Sequence, residues 1–130
     1  MLADHDAPAL VGRVAGGPIF CVMLIVTLMA TSRIDLLQRL LTQDPDSTFT
    51  RYGLAMECVK AGEFARAMAE FEAVIAVDPK YSAAYYHGGQ TLEKMGERDR
   101  AREVYRRGLA ASADAHARAE MQAALDILGD

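Results

Sequence analysis

The residues that could carry out chemistry are few and lie far apart in the sequence. The three histidines are His5, His87 and His116, and none belongs to a His-Glu-x-x-His pair that could hold zinc on one helix face. The two cysteines, Cys21 and Cys58, do not form a Cys-x-x-Cys arrangement. Metal centres and nucleophilic catalysis both need several reactive groups close together. The sequence therefore predicts no catalytic residues, no metal site and no cofactor, and hence a protein that is not an enzyme.

Two short motifs that resemble binding loops also lack the rest of their pattern. No Gly-x-Gly-x-x-Gly or phosphate loop occurs, and Gly88-Gly89 is better explained as a point of close helix packing. The Asp-Pro-Asp segment at residues 44–46 lacks the later ligands of a calcium loop, so we interpret it as a turn before a helix. Cys58 falls on an apolar helix face and is expected to be a small buried residue, which fits a reducing compartment.

The composition is that of one folded domain. The chain has 130 residues, of which 52% are hydrophobic and 25% are charged, as in globular rather than disordered proteins. The net charge is −4 and the pI is near 5.3, so the basic footprint of a nucleic-acid-binding protein is absent. We expect a cytoplasmic protein with no nucleic-acid partner.

The strongest regularity is a period of thirty-four residues. In residues 47–60 and 63–76, apolar residues at three- and four-residue steps predict two facing helices. Gly62 can adopt a left-handed conformation that ends the first helix, and Pro79 cannot continue the second. The residues that recur one period later are Gly62 as Gly96, Ala67 as Ala101, Phe71 as Tyr105 and Ala55 as Gly89, and Asp78-Pro79 is preceded by Asp44-Pro45.

This order of small, aromatic and proline positions resembles the tetratricopeptide (TPR) repeat, as found in small bacterial-type TPR domains, over roughly residues 33–113. The resemblance implies an all-α fold, a right-handed alpha-alpha superhelix (a TPR solenoid) of about two and a half repeats with a C-terminal capping helix. It assigns residues 32–46 to a half repeat, 47–80 to the first unit, 81–114 to the second and 115–130 to the cap. Helices are expected near residues 47–60, 63–76, 82–95, 97–110 and 114–128.

Two positions in this scheme carry separate expectations. Ser32, with Asp35 three residues later, suits a helix N-cap. Gly88 stands one period after Leu54, and glycine in a helix interior costs about 1 kcal/mol against alanine, so the helix at 82–95 is expected to be the least stable. The apolar stripe expected to follow Ser32 consists of Ile34, Leu37, Leu40 and Leu41.

The resemblance places the partner-binding surface on the concave face, which the first helix of each unit lines. Tyr52, Met56, Tyr86 and Gln90 occupy places where the best-known TPR subclass clamps a terminal carboxylate with Lys, Asn and Arg, so we do not expect that clamp. An aromatic and methionine-lined groove suits an apolar or amphipathic helix or an extended peptide. In the alternative interpretation, Phe49 and Tyr52 only pack against the preceding helix. The concave-face residues are Phe49, Tyr52, Met56, Lys60, Tyr86, Gln90 and Lys94.

Charge is distributed unevenly along the chain. Residues 44–79 carry seven acids and three bases, whereas residues 80–112 carry seven bases and four acids. The basic run is either a solvated helix face or a second docking surface for an acidic partner or another copy. The members of this secondary basic face are Arg98, Arg102, Arg106 and Arg107.

Residues 1–31 do not belong to the repeat, and three interpretations remain open. Residues 14–32 include no charged side chain, which is near the lower limit for crossing a bilayer of about 30 Å. Such a segment could anchor the protein to the inner membrane with the repeats in the cytoplasm. Translation could instead begin at Met29. A cleaved signal peptide fits least well, because Asp4 and Asp6 precede the apolar run and Arg13 is the only base there.

The expected function is that of a non-enzymatic interaction module, an adaptor or scaffold that binds a peptide or helix of another protein. The partners considered are a protein or peptide, including a second copy of the chain, and a membrane through residues 14–32. The alternatives are a membrane-anchored assembly factor and a self-associating structural protein.

Overall fold

The computed structural model describes residues 17–129, and every regular element in this part of the chain is an α-helix. The expectations for residues 1–16, including those from the charges at Asp4, Asp6 and Arg13, lie outside the described residues. Each helix contacts the next along the chain. The helices are α1 Gly17–Gln43, α2 Thr48–Lys60, α3 Phe64–Val77, α4 Ser82–Lys94, α5 Arg98–Ala111 and α6 Ala115–Leu128.

The turns within the two helix pairs form as the glycines predict. Gly62 and Gly96 have φ angles of 79° and 78°, in the left-handed region that costs glycine little. After α2, the Gly62 N–H donates to the Val59 carbonyl at 3.0 Å and the Glu63 N–H donates to the Cys58 carbonyl at 2.9 Å. These two bonds form a Schellman motif, which pairs carbonyls that the helix end leaves unsatisfied. Helices α2 to α6 begin and end within one residue of their predicted bounds.

Apolar faces of α2 and α3 pack against each other in the first helix pair. Leu54, Ala55 and Cys58 are buried on α2, and Ala67 and Phe71 are buried on α3. Complete burial of a side chain such as Phe71 contributes roughly 1.5–3 kcal/mol. The expectation that Cys58 is a buried core residue is confirmed.

Glycines on α4 and α5 allow these helices to approach closely. A Cβ atom at Gly89 would overlap the ring of Tyr105, so α5 lies directly against the α4 backbone. A Cβ at Gly88 would meet Met68, Phe71 and Val104 at ordinary contact distances of 3.7–3.8 Å. Side chains of the neighbouring helices therefore already fill the space beside Gly88. The lower stability expected for α4 stays a prediction.

The expected helix start at Ser32 is wrong, because α1 begins at Gly17 and continues through Ser32 to Gln43. No glycine or proline interrupts residues 19–43, so the helix continues past Ser32 although this residue suits an N-cap. Ile34 and Leu41 of the expected stripe are buried, whereas Leu40 is 44% exposed. Leu40 lies one period before the buried Val74, and within the described residues no helix precedes α1 to cover it.

The first half of α1 makes little contact with the repeats. Its described large apolar side chains are exposed, and Ile34 is the first residue of the helix whose described side chain is buried. No helix among residues 17–129 is both long and apolar enough to cross a membrane. This finding gives no support to a transmembrane anchor in the described part of that segment, residues 17–32. The exposed apolar side chains are Ile19, Phe20, Val22, Met23, Leu24, Ile25, Val26, Leu28 and Met29.

Helix α6 covers the end of the second pair with one face only. Ala117, Met121 and Leu128 are buried, and Met121 lies against Gly108 of α5. On another side of the helix, Arg118, Gln122 and Asp126 are exposed, and the Gln122 amide donates to the Asp126 carboxylate at 3.0 Å. A polar outer face is what the last helix of a repeat array needs.

Candidate partner-binding surface

The first helices of successive pairs lie side by side. Helix α2 contacts α4, and α4 contacts α6, so their neighbouring faces form one surface. Because Tyr52 and Tyr86 are one period apart, they occupy equivalent places on α2 and α4. The side chains on this surface are the ones that a partner lying across the helices would meet.

Tyr52 is held by three other rings. Its ring centroid lies 6.1 Å from Phe71, 5.4 Å from Tyr81 and 6.0 Å from His87. Burial raises the pKa of the Tyr52 phenol, and the nearby Tyr81 raises it further. Tyr52 is therefore partly buried and serves the core as well as the surface, which the sequence pattern did not indicate.

His87 connects the two predicted tyrosines. Its ring lies 6.0 Å from Tyr52 and 5.2 Å from Tyr86, and Tyr86 in turn lies 6.4 Å from Tyr105. We call Tyr52, His87 and Tyr86 the aromatic strip. In the sequence His87 is isolated from other reactive residues, and its place between the two tyrosines follows from how α2 and α4 pack together.

A short chain of polar contacts fixes the strip on the α4 side. The Gln90 amide nitrogen donates to the Tyr86 hydroxyl at 3.1 Å, and the Gln90 carbonyl oxygen lies 3.1 Å from His87 Nδ1. Burial lowers the pKa of His87 and Lys94 lowers it further, whereas the bond to Gln90 and the charge of Glu120 raise it. Because burial has the largest effect, the imidazole is neutral at pH 7.

An open groove of about 360 Å³ continues this surface between α4 and α6. Tyr105 lies at its base and donates a hydrogen bond to Glu93; burial and this carboxylate raise the pKa of the Tyr105 phenol far above its ordinary value. Ile127 stands 82% exposed at the edge. The sequence favours a capping helix at 114–128, with a partner-binding or dimer helix as the alternative, and the concave-face residues predicted from it include none from α6. The lining residues are Tyr86, Gln90, Glu93, Tyr105, Glu120, Ala123, Ala124 and Ile127.

The remaining predicted surface residues differ in exposure. Phe49 is 79% exposed, so the alternative that it packs against the preceding helix is wrong. Met56 is partly buried, while Lys60 and Lys94 are exposed near the ends of α2 and α4. The Lys60 ammonium lies 3.5 Å from the Glu57 carboxylate.

The four arginines of the secondary basic face do not share one environment. Arg98 donates to the Leu128 carbonyl at 3.0 Å, and Arg102 donates to the Gly129 carbonyl at 2.7 Å, so both hold the C-terminal end of α6. Arg107 forms two hydrogen bonds with Glu72, at 2.9 and 3.3 Å, and these raise its pKa. Arg106 is exposed and lines a separate depression beside Leu109 and Gln122.

The described part of the chain contains no group of three or more His, Cys, Asp or Glu side chains that could hold a metal ion. The groups that this surface presents are ring faces, one imidazole, amide groups and a few charges.

Comparison with known proteins agrees with this architecture. The sequence profile described as tetratricopeptide repeat matches residues 58–125. The TPR repeat-containing protein PA0015 of Pseudomonas aeruginosa is 32% identical over 80 residues, which cover 62% of this chain and 76% of that protein.

Solved structures are similar in fold. A tetratricopeptide repeat domain protein from Salinibacter ruber, solved by NMR, is 34% identical, with a TM-score of 0.61 over 65% of this chain and 89% of its own. YrrB, described as a TPR protein with an unusual peptide-binding site, has a TM-score of 0.66 over 89% of this chain and 60% of its own, at 23% identity. The expected fold class, an all-α TPR solenoid, is confirmed. Because the profile spans just over half of the sequence and the identity extends over most of a known relative, the chain belongs to the tetratricopeptide repeat family.

Proposed function

We propose that this protein is a non-enzymatic adaptor that binds a peptide segment of another protein across the aromatic strip and the α4–α6 groove. TPR domains generally mediate protein–protein interaction, and the family is typically non-enzymatic. The observation that carries the proposal is the continuity of Tyr52, His87 and Tyr86 across two neighbouring first helices.

The chemistry of this surface supports a peptide as the ligand. Aromatic side chains bury large apolar area and keep a polar tip that can bond to a peptide backbone. Met56 adds a flexible apolar contact one turn beyond Tyr52. In interfaces of this kind, a few central aromatic residues account for most of the binding free energy.

Selection from a library of random twelve-residue peptides displayed on phage would test the proposal on the full-length protein. The tightest peptide would then be measured by calorimetry against Tyr52→Ala, Tyr86→Ala and, as a control on α5, Arg106→Ala. Loss of a central aromatic anchor costs about 1–3 kcal/mol, so we expect each Tyr variant to bind roughly 5- to 150-fold more weakly.

The Arg106 variant should keep most of its affinity and change mainly the salt dependence of association. Because Tyr52 packs against three rings, the melting temperature of every variant has to be measured first, and binding compared well below it. Peptides that lose affinity with Arg106→Ala but bind both Tyr variants normally would place the site on α5 instead.

A second candidate, favoured by one observation, is self-association through α1. Residues 19–29 expose apolar side chains on all sides of the helix, and Leu36 and Leu40 extend that surface toward the repeats. Apolar surface of this size usually marks an interaction site. Sedimentation velocity over a hundredfold range of concentration would test it: a constant monomer mass contradicts self-association.

A further inference from the structure

The hydrogen bonds around His87 determine which of its ring nitrogens carries the proton. The Gln90 amide nitrogen donates to the Tyr86 hydroxyl, so the Gln90 carbonyl oxygen is the atom that faces His87 Nδ1. A carbonyl oxygen can only accept. Nδ1 must therefore carry the hydrogen, and in a neutral imidazole Nε2 is then an acceptor.

The Nε2 atom is left available for a partner. Gln90 is the hydrogen-bond partner of the imidazole within residues 17–129, and it uses the Nδ1 side. No buried side-chain nitrogen or oxygen of the described chain lacks a hydrogen bond, so an Nε2 without one is in contact with solvent. The ring itself is half-buried between Tyr52 and Tyr86. The aromatic strip thus includes an imidazole acceptor that reaches solvent and is held in position by Gln90.

We propose that His87 Nε2 accepts a hydrogen bond from a backbone N–H of the bound peptide, and that the peptide binds as an extended segment. This inference rests on the proposed function and specifies its partner. A helical partner uses its own N–H groups for internal bonds beyond the first turn. An extended segment keeps its N–H groups free, so it can donate to Nε2 while neighbouring side chains contact the two tyrosine rings.

Protonation of His87 would remove this acceptor. An imidazolium has two N–H donors and no acceptor, so the peptide N–H would face another donor. The groups facing His87 are Tyr52 from α2, Tyr86, Gln90 and Lys94 from α4, and Glu120 from α6. Of these, only Glu120 and Gln90 favour the charged ring, while burial and Lys94 oppose it. Binding should therefore be constant near pH 7 and weaken on acidification below His87's ordinary value of 6.5.

A first experiment needs no partner. Long-range ¹H–¹⁵N NMR correlation on the full-length protein at pH 7.5 distinguishes the two neutral tautomers of each histidine. We expect His87 to carry its proton on Nδ1, and Gln90→Leu to abolish that preference. A proton on Nε2 in the wild-type protein would overturn the inference.

A second experiment uses the tightest library peptide and a set of derivatives, each with one backbone N–H replaced by N–CH₃. One methylation should weaken binding to the wild-type protein about three- to tenfold, as expected for a single lost hydrogen bond. On the His87→Phe variant, the methylated and the unmethylated peptide should bind with the same affinity. His116→Phe, which makes the same replacement on α6, is the matched control and should retain the sensitivity of the wild type.

The outcomes separate this inference from the proposed function. A library that yields no binder contradicts the proposed function and this inference with it. A binder whose methylation profile is the same on the wild-type protein and on His87→Phe overturns the inference alone. If His87→Phe is poorly folded, the tautomer measurement on the wild-type protein decides: a proton on Nε2 overturns the inference.

Discussion

Gly89 shows how a single position controls the distance between two helices. The Tyr105 ring occupies the space of a side chain at this place, and it is itself completely buried and bonded to Glu93. The α4–α6 groove has Tyr105 at its base, so the geometry of the surface depends on this contact. Glycine at position 89 lowers the helix propensity of α4, but the close contact between α4 and the Tyr105 ring depends on it.

Replacing Gly89 by alanine should lower stability even though alanine is the better helix former. Overpacking a well-filled core costs typically 1–3 kcal/mol, against a gain of about 1 kcal/mol in helix propensity. Gly53→Ala is the matched control, because its nearest neighbour, a Leu37 methyl, is 3.7 Å from the added Cβ. We expect urea denaturation to give a lower free energy of unfolding for Gly89→Ala than for Gly53→Ala. Equal stability of the two variants would show that the Tyr105 ring can move aside.

His87 should make folding stability sensitive to mild acid. Its pKa in the folded protein is lower than the ordinary value of 6.5, so the unfolded chain takes up this proton first as the pH falls. The contribution of the neutral ring is complete above about pH 6.5 and is lost progressively below it. The free energy of unfolding of the wild-type protein should therefore fall more steeply between pH 7 and pH 5 than that of His87→Phe. Parallel curves for the two proteins would rule out this contribution.

At the scale of the helix, the sequence predicts what local signals control. Gly62 and Gly96 end their helices through bonds made within six residues, which is why α2 to α5 were placed within one residue. The predicted start of α1 at Ser32 is wrong, because a residue that suits an N-cap does not begin a new helix where the chain on both sides of it is helical. The aromatic strip was only partly predicted, since the position of His87 between two tyrosines depends on how α2 and α4 pack together.

Helix α6 combines two roles, because one face covers α5 and another faces the groove. Removing residues 114–130 should expose the surface under Met121, whose burial contributes roughly 1.5–3 kcal/mol, and so lower the melting temperature by several degrees. Arg98→Ala and Arg102→Ala keep the helix but remove the donors to its last carbonyls. These variants should lose less stability and should show faster amide hydrogen exchange mainly near the end of α6. An unchanged melting temperature after truncation would mean that α6 does not stabilise the repeats.

At the scale of the whole molecule, the two ends of the array differ. At the C-terminal end, Arg118 and Gln122 place polar groups beyond the last packed face. At the other end, Leu36 and Leu40 remain exposed on α1, and Arg33 stands where the later units have Ala67 and Ala101. Ala67 and Ala101 are completely buried, whereas Arg33 reaches across to Glu57 at 3.0 Å. A long charged side chain at this place opposes close packing of another helix. A helix that packed beside Arg33 would therefore lie farther from α1 than the helices that pack beside Ala67 and Ala101 lie from α3 and α5.

The apolar half of α1 provides the last prediction, because it separates what the repeats need from what the rest of the chain does. None of the described side chains from Pro18 to Arg33 is buried, and among the described side chains of α1 Ile34 is the first in the core. A variant that begins at Met29 should therefore melt within about 1–2 °C of the full-length protein and keep the same affinity for a library peptide. It should also bind less to lipid vesicles and to an apolar fluorescent dye, since eight of the eleven exposed large apolar residues described in α1 are removed. Leu36 and Leu40 remain in the truncated protein, so the Leu36→Glu and Leu40→Glu variants of the full-length chain measure how much vesicle and dye binding these two residues contribute. A large loss of melting temperature on truncation would mean that residues 1–28 form part of the folded core.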